Sequence, residues 1–252
     1  MAHTVRAIRL GTIHGSRAGL LHGAPPEALD IPVFAAAVEG GGQRVLVDTG
    51  FGDADRWAHL GPHSVGPGEA LDRALAELGW RARDVDVVVN THLHYDHAAQ
   101  NHRFPHARIV VSRTEWEFAA APTGDQAELY PEEWSGPTRE HGRVTLVDAD
   151  THELAPGLRL IRTPGHTPGH QSVLVDTPEG TLCVTGDAAC LLENLAGPVP
   201  PGTLASAPDA LASIARIRAA ADRVLMAHDT GLSPFQSSGF PACPEGSTEG
   251  AH

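Results

Sequence analysis

The chain has 252 residues, room for one large α/β domain or two small ones, and 41% of them are hydrophobic, enough for a core. A formal net charge of −13, from 18 Lys+Arg against 31 Asp+Glu, argues against a nucleic-acid backbone or an anionic membrane as partner, since both reward positive charge. Cys183, Cys190 and Cys243 are odd in number and far apart, so no disulfide framework is expected. The first residues lack the apolar stretch of a signal peptide, and no run approaches the ~20 apolar residues of a membrane span, so the expectation is a soluble, cytoplasmic protein.

In chain order, residues 5–10 alternate weakly and predict a first strand, while 11–30, rich in Gly, His and Pro, predict a loop. Residues 31–39 and 44–48 predict two strands around the turn Gly40-Gly41-Gly42, and Asp48-Thr49-Gly50 closes the second. Residues 51–67 carry Trp57, His59, His63 and several glycines without periodicity; so long a loop either walls a pocket or moves on the surface. Leu71, Ala74, Leu75 and Leu78 fall at i, i+3, i+4 and i+7, so 69–78 predicts a helix that Gly79 stops.

The β-branched run at 85–89 predicts a buried strand, and 109–111 a short one. Ser112 with Glu115 makes a capping-box signature for a helix to about Ala120. Residues 121–142 hold Tyr130, Trp134 and three prolines, an ordered excursion over a site or a plain loop. Strands return at Val144–Val147, Leu158–Arg162, 172–176 and 181–185. Ser206 with Asp209 opens a helix whose Leu211, Ile214, Ile217 and Ala221 keep helical spacing, and 223–227 is a last strand. Nothing in the middle resembles a linker, so one domain is expected over 1–235, with a disordered tail over 236–252, most clearly from Pro241 on.

The chemistry concentrates in Thr91-His92-Leu93-His94-Tyr95-Asp96-His97, directly after the strand at 85–89. Three imidazoles and a carboxylate within six residues suit a borderline divalent metal such as zinc, and His92 and His94, two apart, face one way in extended backbone. Further candidates each follow a predicted strand: His166 with His170, then Asp187, then His228 with Asp229. Alone, His166 or His228 reads as a satisfied core histidine and Asp187 as a turn residue. Their repeated placement at strand ends, which gather along one edge of a sheet, makes a ligand set the better reading. Five imidazoles and two carboxylates are too many for one tetrahedral ion and about right for two ions sharing a bridge. Asp187 is the natural bridge, having two oxygens to divide.

His-x-His-x-Asp-His, Pro-Gly-His-Thr, Gly-Asp and the last strand-terminal His resemble the metallo-β-lactamase superfamily, over nearly the whole chain to about residue 235. That resemblance implies an αββα sandwich, a four-layer α/β fold. It implies His92, His94 and His166 on a first divalent ion, Asp96, His97 and His228 on a second, and Asp187 with a hydroxide between them. Zn2+ is the implied metal, with Fe, Mn or Co as alternatives. Asp187 stands where class B1 β-lactamases carry Cys, which points away from β-lactams.

Thr91 to Ala98, Asn101 with Phe104-Pro105, Arg113 to Glu117, Thr163 to Ser172 and His228-Asp229 look most like the N-acyl-homoserine lactonases. The implied reaction is lactone opening by the bridging hydroxide, with Asp187 holding the bridge and Asp96 carrying a proton to the leaving alkoxide. One departure stands out: those lactonases carry a substrate-contacting Tyr three residues after the bridging Asp, and here that position is Cys190. His170 and Asp229 are expected as substrate contacts or as partners that orient the ligands. If another group replaces the missing phenol, His59, His63 and Tyr130 are the candidates. The expected partner is a small-molecule substrate, with no nucleic acid and no membrane; a homodimer is left open. Thioester or general carboxylic-ester hydrolysis is the alternative. Phosphodiester cleavage, single-iron chemistry, β-lactam hydrolysis and a non-catalytic metal protein rank lower.

Overall fold

Val45-Leu46-Val47 and Val87-Val88-Val89 are buried on both faces, the signature of strands covered from two sides. Alternation divides them. Val45, Val47, Val87 and Val89 point inward to join Leu160, Val173, Val175 and Leu182, whereas Leu46 and Val88 point outward to meet Leu71, Leu75 and Leu78. The computed structural model describes residues 2–132, 143–229 and the backbone of 238–239.

The first sheet is formed by β1 (Thr4–Ser16), β2 (Ala28–Gly40), β3 (Gln43–Val47), β4 (His63–Ser64), β5 (Val87–Val89), β6 (Arg108–Ser112) and β7 (Val144–Val147). Their order across the sheet is β4-β1-β2-β3-β5-β6-β7. The second comprises β8 (Thr151–Ala155), β9 (Leu158–Arg162), β10 (Gln171–Thr177), β11 (Gly180–Gly186), β12 (Arg223–Met226) and β13 (Ser238–Gly239), in the order β13-β12-β11-β10-β9-β8. The helices are α1 (Arg17–Leu20), α2 (Leu71–Glu77), α3 (Tyr95–Ala98), α4 (Arg113–Ala120), α5 (Leu192–Ala196) and α6 (Ala207–Ala220). Leu71, Ala74 and Leu75 of α2 and Ala119 of α4 cover the outer face of the first sheet, and Ile214 and Ile217 of α6 pack with the second. The layers are the expected αββα sandwich.

Strand direction places the site. β3, β5, β6 and β7 are mutually parallel, so their C-terminal ends share a rim. In the second sheet β11 and β12 are parallel, while β9 and β11 both run antiparallel to the β10 between them. The segments after β5, β9, β11 and β12 therefore start from common edges, the placement expected for 92–97, 166, 187 and 228.

Several elements end as their residues dictate. Gly79 takes φ +74 and Trp80 N donates to Leu75 O at 2.9 Å, closing α2 with a left-handed cap. Ser112 Oγ accepts from Glu115 N at 3.1 Å to start α4, and Ser206 caps α6 in the same way. The other half of the expected capping box at 112–115 is absent, because the Glu115 carboxylate is engaged elsewhere.

Other expectations need correction. Residues 11–30 are not one loop: β1 continues to Ser16 through a bulge after Arg9, paired with β2 as far as Ser16↔Ala28. Cross-strand pairing overrides the glycine- and histidine-rich composition there. β8 went unforeseen because its Thr-His-Glu-Leu-Ala is a partly exposed strand with only one flank paired. Residues 51–67 are ordered, with a 3-10 helix at Asp55–Leu60 and β4 paired to β1. Residues 121–132 include a 3-10 helix at Gly124–Leu129, while 133–142, with Trp134, lie outside the described residues. Of the tail expected to be disordered over 236–252, Ser238–Gly239 instead pairs with β12, and the rest lies outside the described residues. Among the described residues no helix is long and apolar enough to cross a membrane.

Candidate metal centre

His92 and His94 lie in the extended segment that leaves β5, and the single turn of α3 then carries Asp96 and His97 inward. His166 follows β9, Asp187 follows β11 and His228 follows β12. All seven are buried. Their donor atoms form three overlapping groups: His92, His94 and His166; His92, His97 and Asp187; Asp96, His97 and His228. Within each group the atoms lie no more than 4.8 Å apart.

Asp187 spans the groups with its two oxygens. Oδ1 lies 3.2 Å from His97 Nε2 and 3.2 Å from His228 Nε2, while Oδ2 lies 3.5 Å from His166 Nε2. Asp96 Oδ2 is 3.5 Å from both His97 Nε2 and His228 Nε2, and His94 Nδ1 is 3.0 Å from His166 Nε2. Despite this crowding, His92 Nε2, His97 Nε2 and Asp187 Oδ1 are buried with no hydrogen-bond partner. Orphaned polar atoms are costly, and here they converge from five imidazoles and two carboxylates on shared points. That donor set fits divalent cations such as zinc.

The Nδ1 atoms of four of these histidines are committed, while His94 Nε2 has no hydrogen-bond partner. His97 Nδ1 meets Asp48 Oδ2 at 2.8 Å, His166 Nδ1 meets Thr203 O at 2.7 Å, and His228 Nδ1 meets Pro32 O at 2.9 Å. Each oxygen accepts, so the proton sits on Nδ1 and the Nε2 lone pair points into the site. His92 Nδ1 reaches Thr91 Oγ1 at 3.1 Å, and that hydroxyl donates to Asp48 Oδ2 at 2.8 Å. Asp48 also accepts from Thr91 N at 2.8 Å. It adopts φ 64, unusual for a residue other than glycine, and these three bonds hold it there.

Burial lowers His92 and His94, and it also lowers His166. Burial acts the same way on His97 and His228, but the Asp187 and Asp96 carboxylates outweigh it and raise both. Burial alone would raise Asp96 and Asp187. The neighbouring histidines, led by His97 at Asp96 and His228 at Asp187, bring Asp96 down to about 2 and Asp187 well below the usual range. The carboxylate pair thus demands positive charge, from protons on His97 and His228 or from cations in their place.

The other candidates sort differently. His170 is fully buried and makes no outward contact. Its Nε2 accepts from Asp187 N at 3.0 Å, and its Nδ1 lies 2.9 Å from Thr163 Oγ1, which is 2.8 Å from Ser172 Oγ. Ser172 Oγ ends the chain by donating to Thr185 O at 2.9 Å. Burial brings the His170 pKa down to about 3, so it stays a neutral acceptor behind the bridging carboxylate. His228 Nδ1 meets Pro32 O, and Asp229 Oδ2 accepts from Leu192 N at 2.9 Å. Cys190 is 1% exposed among Leu20, Ile31 and Leu191, with Sγ 3.9 Å from Asp187 O. Burial, then Asp187, pushes its thiol well above the ordinary value, so it stays protonated.

Of the three replacements for the missing phenol, the Tyr130 hydroxyl donates to Glu115 at 2.9 Å and His63 Nε2 lies 2.7 Å from the Tyr95 hydroxyl. His59 is exposed beside Trp57. Sequence reasoning assigned no role at the site to Asp48, Glu115 or Tyr95, and read Glu115 only as half of a helix cap. Asp48 alone carried a signal, in its position at a strand end beside the site.

The class defined by this αββα sandwich, with paired His/Asp groups gathered at one rim, is the metallo-β-lactamase fold. Residues 29–228 match the Metallo-beta-lactamase superfamily, and the chain belongs to it. It is 33% identical over 187 residues to an N-acyl homoserine lactonase of Bacillus sp, covering 70% of this chain and 71% of that one. It is 32% identical over the same length to the N-acyl homoserine lactonase AiiA of Bacillus thuringiensis subsp. kurstaki. Its structure superposes with a TM-score of 0.78 on an N-acyl homoserine lactone hydrolase carrying the product N-hexanoyl-L-homoserine at its catalytic metal centre. That pair is 26% identical, covering 91% of this chain and 95% of the other.

Proposed function

We propose that the chain is a two-metal hydrolase that opens lactones, N-acyl homoserine lactones first among them, within one catalytic domain over 1–235. The observation that carries the reading is Asp187, whose two oxygens face opposite ligand groups and whose Oδ1 has no hydrogen-bond partner. His92, His94 and His166 would hold one ion, Asp96, His97 and His228 the other, and Asp187 both; Zn2+ is the metal the donors suit. Two such ions supply hydroxide near neutral pH and polarise a carbonyl, the chemistry that ester opening needs.

The chain's own groups do the rest. Asp48, Thr203 and Pro32 fix the imidazoles so that their lone pairs aim into the site. His170 holds the backbone of Asp187. Asp96, grouped with His97 and His228, would take the proton carried by the hydroxyl that has added to the carbonyl and pass it to the leaving alkoxide. Trp57, Phe51 and Tyr95 form an apolar cluster next to Asp96, which suits an acyl-bearing, uncharged substrate. The acidic surface suits the same substrate and disfavours a polyanion.

The test is a panel of N-hexanoyl-homoserine lactone, simpler lactones, an acyl thioester, a β-lactam and a phosphodiester, offered to Zn2+-loaded protein. Lactones are expected to give the highest kcat/KM. A thioester or phosphodiester turned over faster than every lactone overturns the assignment.

A further inference from the structure

Glu115 is fully buried and receives four hydrogen bonds, two on each oxygen. Oε1 accepts from Leu93 N at 3.0 Å and from Tyr130 Oη at 2.9 Å. Oε2 accepts from Thr167 Oγ1 at 2.6 Å and from Gly169 N at 3.2 Å. The donors come from both segments that supply the three-histidine group. Leu93 lies between His92 and His94, while Thr167 and Gly169 follow His166. Tyr130, held by the same carboxylate, sets its ring edge-on against His94, with centroids 4.8 Å apart.

The contact is closed from behind. A Cβ on Gly169 would lie 2.0 Å from Glu115 N, so glycine lets the 166–170 segment rest on the start of α4. Ser112 Oγ, which caps that helix, donates to Gly169 O at 2.5 Å. No comparable contact from Glu115 reaches Asp96 or His228.

We propose that Glu115 is the positioning residue that sets the spacing of His92 and His94 against His166, and so governs affinity at the three-histidine group selectively. Its four acceptor sites are matched by four donors, and an amide at this position would turn two donors toward groups that themselves donate. The inference rests on the reading that these histidines hold a metal, and not on lactone chemistry. Loss of a hydrogen-bond partner behind a ligand costs on the order of 10–100-fold in metal affinity.

Zn2+ affinity, measured by competition with a chromophoric chelator, tests this in two backgrounds. Asp96→Ala weakens the second group and reports on the three-histidine group; His94→Ala does the reverse. Glu115→Gln is expected to lower affinity ~10–100-fold in the Asp96→Ala background and less than threefold in the His94→Ala background. Thr167→Val, which removes a single donor, should lower it in the same background by a smaller factor, and Thr167→Ser should restore it. If Glu115→Gln fails to fold, the Thr167 pair decides by the same criterion. Equal losses in both backgrounds, or none in the Asp96→Ala background, overturn the proposal. Wild-type protein that takes up no Zn2+ overturns the metal reading and this inference together. Wild-type protein with two ions and indifferent variants overturns this inference alone.

Discussion

His97 and Tyr95 are two residues apart on the same helical turn, yet they belong to differently built regions. His97 is wholly buried, with one nitrogen bonded to Asp48 and the other aimed at Asp187 and Asp96. Tyr95 faces the other way, into the 51–67 segment, where its hydroxyl meets the half-buried His63 and its ring packs on Trp57. The cradle around His97 is cross-linked between two sheets by short polar contacts. The wall around Tyr95 is apolar packing from one irregular segment, anchored by the two-residue pairing of β4 with β1. Cradle geometry is therefore over-determined and sensitive to loss of a single atom, whereas the apolar packing around Tyr95 tolerates a change of side chain.

Asp187→Ala should be the most damaging change, because it removes the carboxylate shared between the groups. Metal analysis should fall below two ions per chain, and turnover should drop by more than the ~10²-fold typical of losing one preorganised group. Two retained ions with near-normal turnover would break the contrast at its centre.

Charge sharpens the contrast next. His97 and His228 are raised above 6.5 by the carboxylates that outweigh burial, so in metal-stripped protein their contribution to stability is full below pH 6.5. It is lost as pH rises through their raised values. The histidines that burial lowers, His92, His94, His166 and His170, act in the opposite sense, but their gain is complete within about a pH unit above 6.5, once the unfolded imidazoles are neutral. Thermal melts of stripped protein should thus decline from pH 6.5 to 8, and those of Zn2+-loaded protein should not, since cations then satisfy Asp96 and Asp187. A stripped protein that gains stability over that range would contradict the charge balance described.

A smaller effect is expected at His170. His170→Ala leaves the seven donors in place but strips the acceptor from Asp187 N, so two ions should remain, bound about 10-fold more weakly. The buried Asp187 N–H left without its acceptor should cost about 1–3 kcal/mol in stability, read by denaturant unfolding. An unchanged metal affinity would mean that Asp187 is held by its metals alone.

The same contrast explains what could be read from the chain. His92, His94, Asp96 and His97 are adjacent in sequence, and His166, Asp187 and His228 each follow a run of strand-forming residues, so the cradle was legible from order and periodicity. Asp48 and Glu115 were not, because their meaning lies in contacts across 15 to 54 positions of chain. Local pattern offered Glu115 a capping role, and tertiary contacts claimed its carboxylate instead. Asp229 shows the converse: it adjoins His228 in sequence, yet His228 Nδ1 meets Pro32 O and Asp229 Oδ2 accepts from Leu192 N.

Cys190 tests the wall itself and should have the smallest effect on catalysis. The family resemblance places a phenol here against substrate. In this chain the thiol is buried among Leu20, Ile31 and Leu191, a small filler whose Sγ donates weakly to Asp187 O at 3.9 Å. Tyrosine is far larger, and forcing it into that cluster should cost about 1–3 kcal/mol through overpacking. Cys190→Tyr is accordingly expected to unfold at lower denaturant, to retain two ions and to open homoserine lactones no faster than the wild type. Cys190→Ala, which adds no volume, separates packing from chemistry and should leave kcat/KM within about twofold. If Cys190→Tyr instead raises lactone turnover at constant metal content, the segment can swing its side chain toward substrate. Position 190 would then belong with the wall after all, and the phenol would be worth up to the ~2.7–4 kcal/mol of one oxyanion donor.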